Sequence, residues 1–175
     1  MGPSLALRID LASAPRVNPP IPLDLADDAV AQDVLDLQRA AYEVEAALIG
    51  SDRIPALTET LHALRTAGED WLGLSDEVGL IGAVSWRELD DGTINIHRLV
   101  VAPRAFRRGV ATALLDGIDA TFPDRAMVVS TGSANEPALS LYRRRGFVVV
   151  RERDVIPGLS ITELERRGAG RAVVE

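Results

Sequence analysis

The sequence predicts a mixed α/β (α+β) domain built in three layers, with helices over both faces of a central sheet of about seven strands. Three observations carry this expectation. Two amphipathic helical stretches come first, a run of short Val-, Ile-, Leu- and Trp-rich segments separated by tight turns follows, and two strand–helix–strand units close the chain. Hairpins supply antiparallel neighbours and crossover helices supply parallel ones, so the sheet should be mixed and mostly antiparallel.

Residues 4–11 read as a short strand, and Pro15, Pro19, Pro20 and Pro22 then mark an extended connection, because proline fixes φ and removes a backbone donor. From about Asp27 to Leu48, Val30, Val34, Leu37, Ala41, Val44 and Leu48 recur at spacings of three and four, which predicts an amphipathic helix with an acidic outer face and Gly50 as its C-terminal cap. A second helix is expected from about Pro55 to Ala67, carrying Leu57, Leu61 and Leu64 and ended by Gly68. Strands are expected over Asp70–Ser75, Gly79–Leu89 and Thr93–Ala102, with Asp76-Glu77 and Asp90-Asp91-Gly92 as hairpin turns. A helix follows Gly109 and ends near Phe122-Pro123, then Ala126–Thr131 reads as a buried strand. Glu136–Arg145 is a short helix, and Phe147–Val155 and Leu159–Glu165 are the last strands, turning at Pro157-Gly158. This divides the chain into an N-terminal segment (1–23), one domain (24–167) and a frayed tail (168–175).

Composition narrows the function. Apolar residues make up 47% and charged residues 26% of 175, a globular balance. The absence of cysteine excludes disulfides, thiolate metal sites and a cysteine nucleophile, and two histidines make a histidine-rich metal site unexpected. A net charge of −7 argues against nucleic-acid binding, which needs basic surfaces to neutralise phosphates. No basic segment followed by an apolar one opens the chain, and no apolar run approaches the ~20 residues that span a bilayer, so a soluble cytoplasmic protein is expected.

Two stretches carry chemistry. Leu99-Val-Val-Ala-Pro-Arg-Ala-Phe-Arg-Arg-Gly-Val-Ala-Thr-Ala-Leu-Leu115 passes from an apolar strand through an arginine-rich turn into a helix. Unpaired backbone N–H groups and the positive end of the helix dipole converge at such a turn, which suits a phosphate. The second stretch is Asn135-Glu-Pro-Ala-Leu-Ser-Leu-Tyr-Arg-Arg-Arg-Gly-Phe147.

Together, in this order and at this separation, the two stretches resemble the GNAT superfamily of acyl-CoA-dependent N-acetyltransferases, from about Trp71 to Val155. The resemblance implies a GNAT-like three-layer α/β/α sandwich and acetyl-CoA as acyl donor, with no metal. Carried over residue by residue, it gives the pyrophosphate loop to Arg107, Arg108, Gly109, Val110, Ala111 and Thr112. Main-chain contacts with pantetheine fall to Leu99, Val100 and Val101, in a gap where this strand splays from the one near Ser130. Asn135 and Ala138 join the donor site, Asn135 either capping its helix or bonding pantetheine. Tyr142 matches the tyrosine that often protonates the departing thiolate. Phe106 departs from the pattern, since the family usually has Gln or Arg three residues before the glycine, and Arg104, Arg107 or Arg108 are the substitutes at hand. Arg143, Arg144 and Arg145 read as structural cations in the last helical turn.

The general base has two candidates. His97 is two residues before Leu99 and so, by strand alternation, on the same face as Leu99 and Val101. Glu45 falls at the edge of the first helix's apolar face, where a carboxylate could hold a cationic amine or simply be solvated. The expected activity is direct transfer of an acetyl group from acetyl-CoA to a primary amine of a small molecule or peptide. Seven carboxylates against Arg39 alone between Asp24 and Glu45 favour a positively charged acceptor, such as a polyamine-like, aminoglycoside-like or peptide amine. A catalytically idle CoA-binding sensor or dimerisation module is the alternative, and a homodimer is compatible with either.

Overall fold

The computed structural model describes residues 18–50, 55–156 and 158–168. The strand expected at 4–11 lies outside the described residues, as do Pro157 of the last turn and nearly all of the tail. Strand β1 is the two-residue Ile21–Pro22, helix α1 is Asp28–Ile49 and helix α2 is Leu61–Thr66. Strands β2 (Asp70–Asp76), β3 (Gly79–Glu88) and β4 (Ile94–Val101) follow, then helix α3 (Val110–Thr121) and strand β5 (Met127–Gly132). Helix α4 (Glu136–Arg144) and strands β6 (Val148–Ile156) and β7 (Leu159–Arg166) complete the described chain. The seven strands lie in the order β1-β2-β3-β4-β5-β7-β6, antiparallel throughout except for β4 against β5. This is the mixed, mostly antiparallel sheet that the sequence predicts.

Two expectations about the N-terminal elements change. The proline-rich connection is not all irregular, because Ile21 and Pro22 pair with Gly73 and Leu72 as an edge strand, where proline's missing N–H costs no ladder bond. The expected second helix is broken in two, a 3-10 turn at Pro55–Thr58 and then α2. Thr60 explains the break: its side chain accepts the Ala63 N–H at 3.1 Å and caps a fresh helix, while Glu59 just before it is drawn inward to an arginine.

Each of the longer helices is seated by named residues. Asp27 caps α1 by accepting from the N–H groups of Ala29 and Val30 at 2.8 and 3.3 Å, and Gly50 ends it in the left-handed region at φ 67°. The inner face of α1 buries Ala31, Val34, Leu35 and Leu37. On the other face of the sheet α3 packs tightly, for a Cβ at Gly82 would meet Val110 Cγ1 at 2.4 Å, and one at Gly117 would meet Leu72 Cδ1 at 3.2 Å. Leu72, Val84 and Leu99 are paired rungs and share the α3 side, whereas Trp71, Ser85 and Arg98, the next rung, share the α1 side. Helix α4 is tied to α3 by Arg145, which bonds Asp116 and Asp119 at 2.7 Å each. The three-layer arrangement follows.

The register of β3 against β4 holds one irregularity. Ser85 faces Arg98 and Trp86 faces Ile96, so His97 is an extra residue on β4, a β-bulge. The bulge overturns the expectation that His97 shares a face with Leu99 and Val101. His97 instead turns with Arg98, and both reach Glu69, His97 Nδ1 at 3.7 Å and Arg98 Nε at 2.9 Å.

Arg98 is the hub beneath α1. Its guanidinium lies 5.6 Å from the centroid of the Trp71 ring, and its N–H groups donate to Glu59, to both Glu69 oxygens and to Gln38 Oε1. Ser85 Oγ adds a donor to Glu69 at 2.6 Å, and Gln38 is fully buried. Burial alone would raise the Glu59 carboxyl, but hydrogen bonds from Arg98 and Gln38 overcome it and hold Glu59 below the usual carboxylate range. The stability that this carboxylate contributes is therefore present above that range and lost as pH falls through its depressed value. Removing the cation leaves two carboxylates in a half-dry site. Arg98→Met should cost about 3–5 kcal/mol at neutral pH. The gap to wild type should narrow below roughly pH 4, where the stranded Glu59 carboxyl takes up a proton. Urea unfolding of both proteins at the two pH values checks it; a gap that does not vary with pH would contradict the charge argument.

Candidate functional site

Strands β4 and β5 stay paired for only three rungs, Ile94↔Met127, Asn95↔Val128 and Ile96↔Val129. Beyond them each strand keeps its outer neighbour and loses the inner one, with Arg98–Val101 held by β3 and Ser130–Gly132 held by β7. The splay expected from the resemblance is therefore present. A cavity of about 710 Å³ fills the gap, a size typical of small-molecule sites.

The predicted donor residues converge on it. Leu99, Val100, Val101, Arg107, Gly109, Val110, Ala111, Thr112, Asn135, Ala138 and Tyr142 all line the cavity, as do His97 and Glu45. Helix α3 opens at the cavity with Gly109 as N-cap, left-handed at φ 79° and with no side-chain capping bond. The first N–H groups of the helix thus have no intrahelical acceptor and no capping side chain, the condition under which a helix start binds an anion. Arg107 also adopts a left-handed φ of 62°, unusual for a residue with a side chain, and stays on the cavity wall.

Arg108 is the predicted residue that does not join the lining. Its side chain turns to Asp76 at 3.3 Å, beside Arg104 at 2.7 Å on the same carboxylate. The Arg104 hydrogen bond holds Asp76 down at about 2, so Asp76 stays charged and both arginines stay engaged. Arg104 and Arg108 are thereby withdrawn as replacements for the polar side chain that Phe106 lacks. Phe106 itself is 45% exposed at the cavity wall. Arg144, read from sequence as a structural cation, lines the cavity, while Arg145 fits that reading through Asp116 and Asp119.

Asn135 does its capping work, accepting the Ala138 N–H at 3.2 Å, and its amide faces Glu45 across the cavity and favours that residue's charged form. Glu45 is thus a wall residue rather than a solvated one. Burial pushes its carboxyl above the usual range, with the Asn135 amide pulling the other way. Tyr142 is 4% exposed and packs edge-on against Phe147 with ring centroids 5.5 Å apart. Burial, with Tyr42 and Glu45 nearby, drives its phenol well above the ordinary value, so it stays protonated. Burial lowers His97, and the arginines Arg87 and Arg98 reinforce this against the opposing pull of Glu69, so its imidazole is neutral at neutral pH. Its Nε2 lies 3.3 Å from Asn95 Nδ2.

Tyr42 and Arg98 are among the cavity residues that the sequence did not reveal. Tyr42 stands one helical turn before Glu45, and that spacing was the available signal. Its phenol is raised by burial and by Glu45, and so is also neutral. Among the described residues no group of three or more His, Asp or Glu side chains is arranged to hold a metal ion, and no helix is long and apolar enough to cross a membrane.

Comparison with known proteins agrees with this geometry. The family described as Acetyltransferase (GNAT) matches residues 31–147. The UPF0157 protein YqkA of Bacillus subtilis is 38% identical over 119 residues, 67% of this chain, and the matched part spans about a third (34%) of that relative's length. Among solved structures, a protein titled histone acetyltransferase HPA2 and related acetyltransferase from Corynebacterium glutamicum superposes with a TM-score of 0.69 at 17% identity, covering 90% of this chain and 100% of the other. The PaiA N-acetyltransferase of Thermoplasma acidophilum, solved in complex with coenzyme A, gives 0.60 at 17% identity over 82% and 96% of the two chains. An acetyltransferase of Thermus thermophilus gives 0.66 at 17% identity over 85% and 95%. With a splayed β4–β5 gap, an uncapped α3 at its mouth and a family match across two thirds of its length, the chain belongs to the GNAT family of acetyltransferases.

Proposed function

We propose that the protein transfers an acetyl group from acetyl-CoA to a primary amine by direct attack within a ternary complex. The observation that carries this reading is the gap between β4 and β5, an unpaired strand edge ending at an uncapped helix. The backbone of Leu99–Val101 is free to pair with the amide groups of pantetheine as a third strand would. The N–H groups of Val110, Ala111 and Thr112, with the Arg107 guanidinium, would hold the pyrophosphate. Acetyl-CoA supplies an activated acyl group and a thiolate leaving group, and it enters as a substrate.

The chain's own residues then divide the proton work. His97, neutral and on the cavity wall, takes the proton that the amine must lose to attack, directly or through water. Tyr142, held protonated by burial, gives its proton to the sulfur as the C–S bond breaks. With no cysteine in the sequence, no acyl-cysteine stage is available. The rival reading, a CoA-binding module without turnover, draws on Phe106 and on the engagement of Arg104 and Arg108 by Asp76, which leave the phosphate loop with few free cations. Release of free CoA thiol from acetyl-CoA in the presence of an amine panel separates the two; binding without release favours the module.

Tyr142→Phe keeps the ring against Phe147 and removes only the proton, so turnover should fall about a hundredfold while acetyl-CoA affinity stays within about twofold. An unchanged kcat across the pH range would remove Tyr142 from the acid role. Gly109→Glu puts a carboxylate where the phosphates dock and a side chain on a left-handed backbone, so CoA binding should be lost in calorimetry; normal affinity would refute the assignment of the loop. For wild type, kcat/KM should drop as pH falls through the lowered His97 value, because protonation removes the base. That acidic limb should disappear in His97→Asn, and its persistence would give the base role to another group.

A further inference from the structure

The α1 wall of the cavity carries a charge that the donor cannot answer. Glu45 is half-buried there, one helical turn beyond Tyr42 and facing Tyr142 and Asn135. Among the described residues no arginine or histidine pairs with it. The polar group that favours its charged form, the Asn135 amide, is neutral. Arg98, the cation packed under α1, is saturated by Glu59 and Glu69, and Arg107 and Arg144 belong to the loop and α4 walls. A carboxylate withdrawn from water without a countercharge is costly, and burial already pushes Glu45 toward its neutral form.

CoA adds no remedy, since its phosphates are negative and its pantetheine arm is uncharged. Among the described residues and the donor nothing offers Glu45 a cation, which leaves the acceptor as its source. The reacting nitrogen enters as an ammonium but sheds that charge before it attacks, so a partner that stays with Glu45 through the transfer is a second cation. We infer that the acceptor carries a second cationic centre besides the reacting amine, that Glu45 is the receptor for that centre, and that the substrate class is therefore a diamine or polyamine-type cation rather than a neutral or acidic amine. The Tyr42 phenol beside Glu45 offers an oxygen that accepts a further N–H of the same ammonium. The outward acids of α1, among them Asp33, Asp36 and Glu43, are exposed, so the acidic helix face read from sequence is a solvated face and the selecting charge is Glu45 alone.

This inference rests on the donor reading above. The test titrates 1,4-diaminobutane and n-butylamine, which share a chain length and differ by one ammonium, into the protein saturated with CoA, for wild type and for Glu45→Gln. Gln keeps the shape and a polar head toward Asn135 while removing the charge, and a thermal melt confirms folding. Wild type should bind the diamine about tenfold or more tightly than the monoamine, the least that one charge-assisted hydrogen bond gives, and the preference should vanish in the variant. Equal affinities in wild type, including no measurable binding of either amine, overturn the inference without recourse to the variant. A preference that survives Glu45→Gln overturns it too. In steady-state assays the selectivity ratio should move through KM; an equal fall of kcat for both amines would make Glu45 the base instead. If CoA itself fails to bind, the donor reading fails and takes this inference with it.

Discussion

The structure depends on a sheet that stops pairing in its middle. After Ile96 and Val129 the two central strands part, although both run on for several residues. Backbone N–H and C=O groups without partners cost free energy when removed from water, so folded chains rarely leave an inner edge open. Here the outer neighbours keep the parted strands straight, β3 on one side and β7 on the other, and helices close over both faces. What remains is a slot lined by backbone, able to accept a ligand that behaves like a strand. The same divergence carries the C-terminal end of β4 to the start of α3, so an unsatisfied strand edge and an unsatisfied helix start meet in one cavity.

The second requirement is a firm wall opposite that edge, and Arg98 provides it. One guanidinium joins β4 to α1 through Gln38, to the break before α2 through Glu59, and to the start of β2 through Glu69. A buried cluster of this kind contributes little net stability compared with an apolar core of equal volume, but each member becomes costly to remove. Its value is positional. The bulge at His97 turns the imidazole toward Glu69, on the side of the cluster, while leaving the ring on the cavity wall. Without the extra residue, alternation would have put His97 on the α3 face, away from the acids that surround it.

Much of this was legible in the sequence, and the reasons are specific. The helical spacing of Val34, Leu37 and Ala41, the turn at Asp90–Gly92 and the glycine before Val110 each depend on neighbours a few residues apart, so local pattern was enough to place α1, the β3–β4 hairpin and α3. Arg98, Glu59 and Glu69 lie far apart in the chain, and nothing local distinguishes them from the other charges. The His97 bulge was hidden for a similar reason: whether a strand holds an extra residue depends on its partner, and a single strand's alternation cannot show it. The split of the second helix at Thr60 was written in the residue type, since threonine favours a cap, but the continuous apolar spacing through Leu57, Leu61 and Leu64 masked it.

The two phenols show how the cavity can hold proton donors and carboxylates together. Tyr42 and Tyr142 are each driven toward the neutral form by burial and by Glu45. A buried carboxylic acid set to donate a proton at neutral pH would need its own titration displaced by several units, whereas a phenol begins far above neutrality and burial only moves it further. Placing tyrosine beside Glu45 therefore adds a donor without adding a second negative charge to the wall. It also leaves Glu45 as the one carboxyl that the α1 face presents to the cavity.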